Sequence, residues 1–139
     1  MNFPKTPGQC EYLRVIQSHK PIIIATGPAG SGKTMFGCQI AAEKIINREC
    51  QRLILTRPIV AADEDMGYLP GEMLLTRLGD NSKMIVMGDL KQSDLGARNG
   101  LADLVKRIKG LELEYIEHVI MDEDDILRHP AVAEILKLY

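Results

Sequence analysis

The chain has 139 residues, a formal net charge of −2, 45% hydrophobic and 26% charged residues, the size and balance of one globular domain, 1–139, with an ordinary core. That charge offers no global attraction to polyanions, so a nucleic-acid surface has to be a local patch. With no Trp, two Phe and four Tyr, a dedicated single-strand stacking platform is disfavoured.

Nothing at the N-terminus resembles a signal peptide, and no apolar run approaches the roughly 20 residues of a membrane span. Cys10, Cys38 and Cys50 form no CxxC pair. These features point to a soluble, cytoplasmic protein with reduced thiols and no membrane contact.

In chain order, 6–18 reads as an opening helix. Thr6 serves as N-cap, Pro7 takes the first helical position, and Gln9 completes a capping-box pattern. Residues 21–26 (PIIIAT) are short, apolar and β-branched, as in a buried parallel strand. A glycine-rich loop follows, and then a helix over 33–47. Residues 52–56 (RLILT) read as a second strand and 83–87 (KMIVM) as a third. Leu101, Leu104, Val105 and Ile108 recur at helical spacing, with Gly110 as the stop. Residues 113–120 form a fourth strand candidate, and Pro130 opens a short last helix. Strands separated by helices predict an α/β fold with a parallel sheet flanked by helices. Ligands of such sheets bind beyond the carboxyl ends of the strands, which selects the loops after 26, 56 and 87.

The first of these loops, Gly27-Pro28-Ala29-Gly30-Ser31-Gly32-Lys33-Thr34, matches G-x-x-x-x-G-K-[ST] in full. Glycines let successive backbone N–H groups wrap a phosphate, and the following helix adds its positive N-terminal end. Lys33 would reach the β- and γ-phosphates, and the Thr34 hydroxyl would ligate Mg²⁺. The expected ligand is ATP with Mg²⁺.

The other loops are open to two readings each. Thr56-Arg57-Pro58 either touches a phosphate or nucleic acid, or is a strand end with an exposed Arg. Asp89 and Gln92 either sense the γ-phosphate and position the attacking water, or belong to a polar turn that Asp94 caps. Gln9 closes the capping box with Thr6, presents its amide to an adenine edge, or does both. Arg128 either reaches a neighbouring subunit's γ-phosphate or is a surface residue before a helix.

Taken together, GPAGSGKT (27–34), LTRP (55–58), GYLPGE (67–72), the run 74–95, NGL (99–101) and RHPAV (128–132) resemble the PhoH family of ATPases. The core of that family is similar to superfamily 1 helicases, so the resemblance implies a P-loop NTPase fold of RecA and helicase type. It implies an adenine-reading role for Gln9, a GDxxQ motif at Asp89 and Gln92 that couples γ-phosphate to nucleic acid, and an ATP-contacting arginine at Arg128. It also implies a homo-oligomer, usually a hexameric ring, that acts on RNA or single-stranded nucleic acid.

One departure matters. The family pattern has a long segment between GYLPG and LLTR, including a strand that ends in the acidic Walker B motif. Here Gly71-Glu72-Met73 runs directly into Leu74, so the expected Mg²⁺ carboxylate and general base are lacking between about 71 and 74. Two functions follow as expectations: an ATPase coupled to RNA or single strands, and a regulatory or structural module that binds ATP without hydrolysing it.

Overall fold

The computed structural model describes residues 2–55, 78–90, 100–127, 129–131, 135 and 138. Its elements in chain order are helix α1 (Pro7–Ile16), strand β1 (Ile22–Thr26), helix α2 (Lys33–Ile46), strand β2 (Met84–Gly88), helix α3 (Gly100–Ile108) and strand β3 (Ile116–Ile120), followed by a 3₁₀ turn at Glu123–Asp125. The sheet runs in the order β2-β1-β3. Both pairings are parallel, with Ile22 opposite Met84 on one side and opposite Ile116 on the other.

The apolar run of β1 is explained by this central place. A strand with neighbours on both edges and layers on both faces has no solvated side. Ile23 and Ala25 face α1 and α2, packing with Tyr12, Val15, Ile16, Phe36, Ile40 and Val119 in one buried cluster. Ile85 and Met87 of β2 close over the same cluster. The opposite face carries Ile24, fully buried. On that side a Cβ at Gly88 would collide with the Leu101 side chain of α3. Helices therefore cover the sheet from both sides.

Both ends of α1 are held by side chains, one from the residue before the helix and one from far along the chain. Thr6 caps α1 by accepting from the Gln9 N–H at 3.2 Å. At the other end, the Lys83 ammonium donates to the carbonyls of Ile16 and Ser18, each at 2.5 Å. The Ile16 carbonyl would otherwise be an orphan of the helix terminus. Burial lowers the Lys83 pKa, and the nearby positive charge of Lys44 lowers it further.

The expected strand over 52–56 is corrected. Arg52–Leu55 lie outside any strand, with Ile54 72% and Leu55 68% exposed; Thr56 is beyond the described residues. A strand exists only as part of a ladder, and Arg52–Leu55 pair with no strand among the described residues. An apolar, β-branched run is therefore not sufficient. Of the expected last helix, Pro130, Ala131 and Ile135 are helical. The junction at 71–74 lies outside the described residues. No helix among the described residues is long and apolar enough to cross a membrane.

Replacing Lys83 with Ala leaves the Ile16 and Ser18 carbonyls without their donor. We expect a loss of about 1–2 kcal/mol, measured as a lower urea midpoint at unchanged slope.

Candidate functional site

The loop from Gly27 to Gly32 joins the end of β1 to the start of α2 at the carboxyl edge of the sheet. Its shape depends on glycine. Gly27, Gly30 and Gly32 have φ of 154°, 85° and 91°, values that side-chain-bearing residues rarely adopt. At Gly27 a Cβ would lie 2.6 Å from the Met121 carbonyl, and at Gly32 it would lie 2.9 Å from the Phe36 ring. The loop is anchored at its start by Gly27 N–H donating to Gly88 O at 3.1 Å, and Met121 N–H donates to Thr26 O at 2.8 Å. Both flanking strands thus fix the point where the loop leaves the sheet.

Lys33, the first residue of α2, turns its side chain back along the loop. Its ammonium donates to Gly27 O at 2.8 Å, Pro28 O at 2.7 Å and Ser31 Oγ at 3.0 Å. Burial lowers the Lys33 pKa, and the Asp89 charge partly offsets that. Thr34 is exposed in the first turn of α2. Pro28, Ala29, Gly30 and Ser31 form the crest of the loop. Ser31 is fully buried, and its hydroxyl donates to Pro28 O at 2.8 Å.

Beside the loop lies a cleft of about 630 Å³, lined by Thr26, Gly27, Pro28, Asp89 and the stretch 120–124. It opens where all three strands end, as expected for ligand sites in parallel sheets. Asp89 stands on its β2 side. Gln92, Arg57 and Arg128 lie outside the described residues. A second cleft of about 690 Å³ runs along β3 past Lys20, Leu111, Leu113, Glu117 and His118, away from the loop. Among the described residues, no three His, Cys, Asp or Glu side chains are grouped to hold a metal ion.

Gln9 is almost fully buried. Its Oε1 accepts from Lys5 N–H at 2.9 Å, and its Nε2 donates to Ser31 O at 3.3 Å and to Asp125 O at 3.2 Å. The capping half of the expectation is therefore displaced by one residue: the return bond goes to Lys5, before the cap.

Three residues of this neighbourhood carried no functional expectation. Tyr12 donates its hydroxyl to Lys33 O at 2.9 Å, and burial pushes its pKa up, with a smaller push from Cys38. Asp125 is buried and accepts from the Thr6 hydroxyl. His118 Nε2 lies 2.7 Å from Thr26 Oγ1, a hydrogen bond whose direction follows the imidazole tautomer. The Asp122–Asp125 capping box around the 3₁₀ turn is the one signal in the sequence that pointed to Asp125.

The profile of the PhoH-like protein family matches residues 3–74 and 72–139. The chain belongs to that family. A PhoH-like protein of Synechocystis is 29% identical over 206 aligned residues, covering 97% of this chain and 61% of the relative. A PhoH-like protein of Bacillus subtilis is 29% identical over 203, covering 97% and 63%. Protein PhoH of Escherichia coli is 46% identical over 69 residues, half of this chain and 19% of its own length. The chain thus spans less than two thirds of the length of these relatives. The family supports a nucleotide-binding P-loop protein, in keeping with the loop's geometry.

Burial lowers the pKa of His118 below its ordinary value of 6.5. The folded state therefore favours the neutral ring, and the unfolded chain binds the proton more readily. Stability from this group is present above about pH 6.5 and is lost as pH falls through the folded-state pKa. We expect the urea midpoint to drop between pH 7.5 and 5.5, and His118→Gln to flatten that slope.

Proposed function

We propose that this chain binds ATP with Mg²⁺ and hydrolyses it, coupling turnover to RNA or single-stranded nucleic acid as a cytoplasmic homo-oligomer, with a hexameric ring as the expected assembly. The observation that carries the reading is the glycine loop itself: three glycines at positive φ, opening directly into α2, with the Lys33 ammonium folded inside. Backbone N–H groups and the helix N-terminus favour an anion there. A phosphate oxygen offers Lys33 a charged acceptor in exchange for carbonyls, and charge-assisted bonds are the stronger kind.

The residues suit Mg²⁺ in its usual mode, in which few protein oxygens share the ion with phosphates and water. Thr34 would supply a hydroxyl, with Asp89 near enough to act electrostatically on Lys33. When bound, the ion would neutralise phosphate charge. The chain's own work is positioning: Lys33 holds the terminal phosphates, Asp89 and Gln92 order the attacking water, and Arg128 offsets charge late. For nucleic acid, a net charge of −2 implies binding by a local, salt-sensitive patch.

A second reading, binding without hydrolysis, is favoured by one observation. The relatives align over 203 and 206 residues, more than the 139 of this chain, and the two profile matches meet at 72–74. This is the interval where the family pattern places its paired acids. Calorimetry with ATP and a phosphate-release assay, with and without RNA, separate the two readings.

For the leading reading we expect Mg²⁺-dependent turnover, stimulated by RNA, in an assembly visible by sedimentation. Lys33→Ala should lower ATP affinity at least about tenfold and turnover more than about a hundredfold, with cooperative unfolding retained. ATP binding without turnover would select the second reading. Unchanged affinity and rate in Lys33→Ala would sink both.

A further inference from the structure

The phosphate loop is held from behind by the first turns of α1. Gln9 donates to the carbonyl of Ser31 and Tyr12 to that of Lys33. In a planar trans peptide, the carbonyl and the next N–H point in opposite directions. Fixing Ser31 O toward Gln9 therefore turns Gly32 N–H away from α1, and fixing Lys33 O toward Tyr12 does the same for Thr34 N–H. These amides belong to the run that would face a phosphate.

Gln9 is itself held. Its second Nε2 proton goes to Asp125 O, and its Oε1 takes Lys5 N–H. Both donors are thus spent inside the protein. The Asp125 carboxylate accepts from the Thr6 hydroxyl with one oxygen and from Asp122 N–H at 2.9 Å with the other. Thr6 in turn accepts from Gln9 N–H. The ring Thr6–Gln9–Asp125 is closed and buried. It leaves no room for a side chain at position 8, where a Cβ would collide with the Asp125 carboxylate.

We propose that Gln9 and Asp125 are positioning residues for the phosphate loop: a clasp that aims the Gly32 amide, so that Gln9 serves the phosphates and not the base. The inference rests on the nucleotide-binding reading above and assigns Gln9 a role within it. Breaking the clasp lets the Ser31–Gly32 peptide rotate, which weakens every triphosphate equally, whatever base it carries.

The test compares ATP, GTP and inorganic tripolyphosphate by calorimetry on the full chain, for wild type and for Gln9→Met, Thr6→Val and Thr6→Ser. Gln9→Met keeps the size and removes both donors. We expect affinity for all three ligands to fall by a common factor, roughly ten- to a hundredfold, with the ATP to GTP ratio unchanged. Thr6→Val should show a smaller loss of the same kind, and Thr6→Ser, which keeps the hydroxyl, should restore wild-type affinity. The ¹H–¹⁵N order parameter of the Gly32 amide, measured without any ligand, should fall in Gln9→Met and Thr6→Val.

A loss confined to ATP would show that Gln9 reads the base and would overturn the proposal. So would a fall in melting temperature with all three affinities intact, since that is what a merely stabilising contact produces. If wild type bound none of the ligands, the nucleotide reading would fail. An unchanged order parameter at Gly32 in the variants would overturn the clasp independently of that result. Should Gln9→Met not fold, the Thr6 pair still decides.

Discussion

Parallel pairing on both edges of β1 is the constraint from which the rest of the molecule follows. With Ile22 to Thr26 laddered to β2 and β3 at once, the last residue of the strand has no freedom, and neither has the point where Gly27 departs. Gly27 takes its hydrogen bond from the β2 side and its close contact from the β3 side. A loop proposed to cradle a small anion needs such a fixed root, because misplacement by an ångström is costly to binding and chemistry.

The helices then set the loop's interior. α1 lies behind the loop and reaches its carbonyls through Gln9 and Tyr12, while α2 begins within it. The same α1 is fastened at its far end by Lys83 from the approach to β2. Core packing and site geometry therefore share parts. Tyr12 is at once among the largest buried side chains and the partner of Lys33 O, so the packing that stabilises the domain also orients the backbone at the start of α2.

Much of this was legible in the sequence. The buried strand 21–26, the helices near 6–18, 33–47 and 101–108, and the strands near 83–87 and 113–120 follow from periodicity and punctuation. These signals are local and strong for elements that are buried or sharply capped. The run 52–56 misled because strand formation depends on a partner, and residue types cannot report whether an edge is available. At the site, the glycine loop announced itself by spacing alone. The buried bonds of Asp125, His118 and Gln9 did not, because they join residues up to 119 positions apart, which no window along the chain can connect. The family profile and the motif resemblance converge on the same group of proteins, yet neither would have revealed which carbonyls Gln9 holds.

That separation has a consequence for how the protein comes into being. The glycine loop is complete as a stretch of chain by Thr34, but Asp125, which secures Thr6 and Gln9 behind it, emerges from the ribosome about 90 residues later. Until then β1 has no β3 beside it, and α1 has only part of its final setting. Contacts of such sequence separation form slowly, since loop closure must precede any reward. A nascent chain halted before β3 would thus carry the whole phosphate-binding motif in its covalent structure without the architecture that shapes it.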